Sequence, residues 1–195
     1  AESDARVRTT PLSEVCDVIT DGTHYTPTDL GKGVPFLTVK DIGPLGLDFG
    51  GCARISEADY LTAKAGSSAP KRGDVLYSKD GTVGKVHVVD TEERFAVLSS
   101  LAILRPDTVI ADSKFLGHML STPDVLAQAV KRKSGSAVRR IILSDLKKVE
   151  VPLPSLPEQQ RIAAILDQAD AIRAKRRQVL AHLDSLRQAV FRTTF

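Results

Sequence analysis

Several features that mark whole classes of protein are missing from this sequence. Two cysteines, Cys16 and Cys52, among 195 residues are too few for a disulfide scaffold and point to a reducing compartment. No apolar run approaches the ~18 residues that a membrane-spanning helix needs, and Ala1 to Thr10 lacks the hydrophobic core of a secretion signal. The expectation is a soluble, cytoplasmic protein with no membrane partner. GxGxxG and GxSxG are absent, and so is the Asn/Asp-Pro-Pro-aromatic signature of amino-methyltransferases. The four histidines, His24, His87, His118 and His182, are scattered without metal-ligand spacing, so no metal is expected. Gly81-Thr-Val-Gly84-Lys85 is two residues short of a phosphate loop and has no Ser or Thr after its lysine, so a hairpin turn is the better reading. No acid, base and nucleophile assemble. The chain reads as a binder, not an enzyme.

What is present is ordinary globular composition, 42% hydrophobic and 26% charged, with a net charge of +3. The charge is uneven. Residues 1–157 hold 20 basic and 20 acidic side chains, while residues 158–195 hold 7 and 4 and so carry the whole excess. Inside the balanced part, Lys131 to Lys148 sets seven cations against Asp145 alone.

Short, mostly β-branched runs separated by Gly, Pro and Asp predict strands at Val34 to Val39, Val75 to Tyr77, Val86 to Val89, Ala96 to Leu104 and Val149 to Leu153. Helices are expected over Ser56 to Ala65, opened by a box-like Ser56 and Asp59 pair, over Ser113 to Ser121, and from Pro123 to Lys133. Val151-Pro-Leu-Pro-Ser-Leu-Pro157 reads as a stiff, non-helical connector. The fold class is thus α/β (α+β): a mixed-sheet domain over residues 1–157, then a long helix over residues 158–195.

From Glu158 onward there is no Gly or Pro, and the apolar residues keep a heptad period. With Ile162 at position a, the a series is Ile162, Ala169, Arg176, Leu183 and Val190, and the d series is Ile165, Ile172, Val179 and Leu186. Eight of nine seam positions are apolar, the pattern of a coiled-coil helix. Glu158 to Arg192 would be a rod of roughly 50 Å that cannot bury its own stripe. An antiparallel homodimer through Ile162, Ile165, Ile172, Val179, Leu183 and Leu186 is expected, because a two-fold pair places identical domains at opposite ends.

Three loops rich in hydrogen-bonding side chains are candidates for function: Thr20 to Tyr25, Ser78 to Thr82 and Lys133 to Arg140. Beside the basic cluster they suit nucleic acid, with Lys and Arg on phosphates and Thr, Asp, His and Ser toward base edges.

An ordered set of segments carries a resemblance. They are Asp21-Gly-Thr-His24, Gly33-Val-Pro-Phe-Leu37 leading to Lys40-Asp41-Ile42, and Gly73 to Gly84. They continue with Leu98 to Pro106, Gly135 to Leu146, Val151-Pro-Leu-Pro, and Pro157-Glu-Gln-Gln-Arg-Ile162. In order and spacing the sequence resembles the specificity subunit of type I restriction–modification systems over nearly all of Leu12 to Phe195. The family's subunit alternates two target-recognition domains with two helical regions; this chain holds one of each, a half-subunit. The resemblance implies a recognition domain that enters the major groove of double-stranded DNA and a helix that acts as a ruler. It implies a non-catalytic subunit that recruits an adenine-methylating modification subunit and a restriction subunit. S-adenosylmethionine, ATP and Mg are then expected on those partners and no cofactor on this chain. The DNA-contacting candidates are Thr23, His24, Tyr25, Lys40, Ser78, Lys79, Lys133, Ser134, Ser136, Arg139 and Arg140. The alternative reading is an adaptor that binds no DNA and docks a methyltransferase or another protein through its C-terminal helix. A fragment of a fused enzyme is a third.

Overall fold

The structure, a computed structural model, describes residues 8–43, 46–131 and 141–194. The chain enters through β1 (Thr9–Pro11), a single turn α1 (Leu12–Val15) and β2 (Cys16–Asp21). β3 (Val34–Leu37) runs into a 3-10 turn (Val39–Asp41), then the short antiparallel pair β4 (Ile42–Gly43) and β5 (Gly46–Leu47). β6 (Ala53–Ile55) and α2 (Glu57–Ala65) follow, then β7 (Val75–Ser78), β8 (Val86–Val88), β9 (Ala96–Val97) and β10 (Leu101–Pro106). The C-terminal part is α3 (Ser113–Leu120), α4 (Pro123–Lys131), α5 (Leu143–Leu146), β11 (Glu150–Pro152) and α6 (Leu156–Thr194). This is a mixed α+β head followed by a long helix.

The head is organised around β10, which sits inside a four-stranded antiparallel sheet of order β2-β10-β7-β8. Leu101, Ala102, Ile103 and Leu104 are fully buried, as a central strand covered on both faces requires. One face packs on α3, α4 and α5 through Leu104, Leu116, Leu120, Val125 and Leu146. The other meets Leu37 and Val97 of the β6-β3-β9 sheet and Phe95 just before β9, which runs parallel to β3. β1 and β11 pair antiparallel, clasping residues 9–11 to the segment just before the long helix.

Three expectations are corrected. The run Ala96 to Leu104 is two strands, because Leu101 N–H turns back onto the Leu98 carbonyl (2.9 Å) at the two serines between them, and the halves serve different sheets. β2 includes Thr20 and Asp21, read above as a turn; their places are set by β10, where Asp21 faces Ala102 and Thr20 faces Ile103. The long helix opens at Leu156, inside the proline run. Pro157 is accommodated there because the first helical turn needs no donor N–H. At the start of α2, Ser56 accepts the Asp59 N–H as expected, but the Asp59 carboxylate takes the Ser56 hydroxyl (2.6 Å); Asp is one methylene shorter than the usual Glu.

The only polar break in β10 is Arg105, which grips Asp74 with two 2.8 Å bonds, Nε to Oδ1 and Nη2 to Oδ2. Asp74 is 1% exposed, and the hydrogen bond to it pushes the Arg105 guanidinium above its ordinary range. Arg105→Met should therefore strand a buried carboxylate and destabilise the head by about 3 kcal/mol, read as a shift of the urea midpoint. An unchanged midpoint would show that water replaces the guanidinium.

Candidate nucleic-acid interface

One edge of the head collects the loops that follow β2, β3, β7 and β9. Backbone bonds tie them together: Gly22 N–H to Leu101 O (3.0 Å), Thr23 N–H to Val97 O (2.8 Å), Ser99 N–H to Thr23 O (2.9 Å) and Lys79 N–H to Ser100 O (3.0 Å). Gly22 is required where the first loop crosses: a Cβ there would lie 2.3 Å from Val97 O. The 3-10 turn is closed by Asp41, whose carboxylate takes both the Thr38 N–H (2.7 Å) and hydroxyl (2.9 Å). Lys85 Nζ then ties the turn to the β7–β8 loop by donating to Val39 O (3.1 Å) and Ile42 O (2.7 Å).

Beneath this edge lies an ion pair. Lys79 is 2% exposed, and its Nζ sits 3.0 Å from Asp21 Oδ1. The other oxygen of Asp21 lies 3.7 Å from His24 Nε2. The pair joins the first and third loops from below, so their relative position is set by an inward-pointing salt bridge.

This arrangement sorts the sequence candidates. His24, Tyr25 and Lys40 are exposed on the edge, with Tyr25 44% accessible. Thr23, Ser78 and Lys79 are corrections, since all three point inward. Thr23 is 5% exposed and gives its hydroxyl to Tyr25 O (2.8 Å). Ser78 is fully buried, its hydroxyl accepting Lys85 N–H (2.7 Å) and donating to Thr82 O, which shapes the hairpin turn that stands where a phosphate loop was considered. Lys79 neutralises Asp21 and cannot at once hold a phosphate. Lys133, Ser134, Ser136, Arg139 and Arg140 lie outside the described residues. Ile141, just after them, donates its N–H to Lys79 O (2.8 Å) at this edge. Sequence reasoning missed Asp21 and Lys85 as organisers of the site; their partners lie too far along the chain for any local signal.

At the other end of the molecule, α6 docks on α3 through buried Gln159 and Ala163 and an ion pair at Asp167. The heptad stripe lies off that face. Ile162 is half-buried, while Ile165, Ile172, Val179, Leu183 and Leu186 are between 49% and 59% exposed. Among the described residues no group of His, Cys, Asp and Glu is placed to hold a metal ion, and no helix is long and apolar enough to cross a membrane.

The family model of the type I restriction modification DNA specificity domain matches residues 6–182. The EcoBI specificity subunit of a type I restriction enzyme from Escherichia coli is 28% identical over 171 residues, covering 86% of this chain and 36% of that protein. Among solved structures, a chain of a type I R-M system studied for complex assembly and conformational transition aligns with a TM-score of 0.65 and 29% identity. That alignment covers 97% of this chain and 46% of the other. The HsdS subunit of Thermoanaerobacter tengcongensis aligns at 0.58 with 25% identity, over 90% and 41%. The chain thus spans about a third of the curated relative and less than half of each solved neighbour.

Proposed function

The chain belongs to the type I restriction modification DNA specificity family, and we propose that it reads one half of a bipartite site in double-stranded DNA in the cytoplasm. The loop edge carries the reading: exposed His24, Tyr25 and Lys40 stand on turns whose positions are fixed from below by Asp21–Lys79 and by Lys85. Direct readout needs side chains held in register with base edges, and a rigid platform supplies that. One head discriminates only a few base pairs, at about 1–3 kcal/mol each. Two heads joined by a rod add their discrimination and select the gap between half-sites. α6 has 39 residues, hence a length of about 58 Å, and its uncovered stripe suits an antiparallel pair with a second copy. Catalysis belongs to partners in this reading: a modification subunit methylates adenine with S-adenosylmethionine, and a restriction subunit uses ATP and Mg. This chain addresses them to DNA.

Two lysines test the platform. Lys40→Ala should leave the melting temperature unchanged, weaken binding to all duplexes and lower the salt slope by about one phosphate contact. Lys79→Ala should do the reverse, destabilising the head by about 3 kcal/mol through unpaired Asp21 while the folded fraction keeps its slope. Fluorescence anisotropy on duplexes across a salt series separates the two. A slope unmoved by Lys40→Ala removes that lysine from the interface. Genome-wide sequencing of methylated adenines with and without this chain tests the whole reading, since an adaptor that binds no DNA would change no methylation motif.

A further inference from the structure

We propose that Gln159 is the positioning residue that locks the long helix to the head at a fixed angle, and that this joint sets which half-site spacing is accepted. The inference rests on the reading above. Gln159 is fully buried in the first turns of α6, inside the Pro157-Glu-Gln-Gln-Arg-Ile162 segment that recognition itself does not use. Its amide is almost completely engaged. Nε2 donates to Ile110 O and to Pro154 O, each at 2.9 Å, and Oε1 accepts the Asp112 N–H at 2.9 Å. Asp112 is the N-cap of α3, accepting the Phe115 N–H (2.9 Å), and Pro154 precedes the long helix. One side chain therefore bonds the turn that starts α3 to the turn that starts α6. An amide is the group for this task, because it presents donor and acceptor together and does not titrate.

Further along the same face, Ala163 is buried, and Asp167 accepts Lys114 Nζ (2.6 Å) and lies 2.8 Å from His118 Nε2. Burial alone would raise the Asp167 carboxyl, yet the bonds from Lys114 and His118 outweigh it and hold the group below its ordinary range. α3 in turn presses on β8 at Gly117, where an added Cβ would come within 2.6 Å of Val88. The helix is thus anchored through α3 to the sheet that carries the recognition loops.

Leverage makes the joint functional as well as structural. A tilt of about 5° at the base of a rod of about 58 Å moves its far end by about 5 Å. That exceeds the step of roughly 3.4 Å between base pairs. A loose joint would leave each head able to read its half-site while the pair lost its ruler.

The test uses the full chain carrying spin labels at Glu14→Cys and Gln178→Cys, both exposed positions off the heptad seam, diluted in excess unlabelled chain. The native thiols take label poorly, since Cys52 is buried and burial pushes Cys16 up to about 12. The unmodified joint should give one narrow distance distribution. Gln159→Met, similar in shape but without the three bonds, should widen it about twofold, while Gln160→Met at the exposed neighbour leaves it unchanged. Where Gln159→Met fails to fold, Gln159→Asn serves: it keeps a neutral amide that, one methylene shorter, cannot span all three partners. An unchanged distribution in whichever variant folds overturns the joint. The second readout is binding to duplexes with two half-sites, selected from a random library, at spacers varied one base pair at a time. Loss of spacing preference with unchanged single-half-site affinity supports the proposal. Retained preference despite a widened distribution overturns it. If the unmodified chain shows no spacing preference while the distances still widen, the bipartite reading fails and the mechanical joint stands.

Discussion

A chain carrying Ile172→Asp and Leu183→Asp should be monomeric at concentrations where the unmodified chain is paired, with the dissociation constant raised by at least about 10⁴-fold. Each buried Ile or Leu contributes about 1.5–3 kcal/mol, and a two-fold pair meets every seam position twice, so four apolar contacts become four carboxylates facing hydrocarbon. The head is expected to survive, because both residues are more than half exposed and neither touches its core. The heptads permit several antiparallel registers, of which one keeps the arginines apart. Setting Arg176 across from the partner's Val179 brings Leu183 against the partner's Ile172, Ala169 against the partner's Leu186 and Val190 against the partner's Ile165. Arg173 and Arg187 then lie beside the partner's Leu180 and Leu166, so like charges are kept apart and the arginine stems cover apolar surface. In this register Ile172→Cys with Leu183→Cys closes disulfides between two chains, while either single variant does not. Sedimentation of the unmodified and Asp-substituted chains decides the matter; an unmodified chain that stays monomeric at micromolar concentration ends the self-pairing proposal.

Replacing Lys133, Arg139 and Arg140 together with alanine should weaken binding to every duplex by about 10²-fold at moderate salt. The slope of log affinity against log salt should fall by between about two and three. Each lysine or arginine that neutralises a phosphate releases a counterion, so losing three such contacts flattens the salt dependence whatever the base sequence. The described residues on both sides of this segment meet the β7–β8 loop. α4, which precedes the segment, packs Leu126 against the β7–β8 loop at Gly84, and Ile141 after it bonds to the Lys79 carbonyl. Anisotropy at several salt concentrations gives the slope directly, and a slope equal to that of the unmodified chain would place the cations away from DNA.

Lys40 and Lys79 are alike in sequence and opposite in the fold. Both are lysines in polar turns after apolar strands, and nothing within ten residues tells them apart. Lys40 is exposed on a turn that Asp41 closes by accepting from Thr38, three residues away. Lys79 is buried because Asp21 waits under it, a fact that exists only once β2 and β7 flank β10. Ser78 and Thr23 turn inward onto partners near in sequence, Thr82, Lys85 and Tyr25, and only the burial of those turns in the fold takes them off the surface. Gln159 has no local signal for two of its three partners, since Ile110 and Asp112 reach it only through the docking of α6 on α3.

By itself the chain of residues determined the long C-terminal helix, its apolar stripe, most strands and the family resemblance, all of which rest on periodicity, propensity and the order of short segments. Only the tertiary structure decided which polar side chains face outward, which are spent holding loops together, and which face of the helix the head covers. Period and propensity act between near neighbours, whereas burial and charge pairing depend on strands brought together from distant parts of the chain.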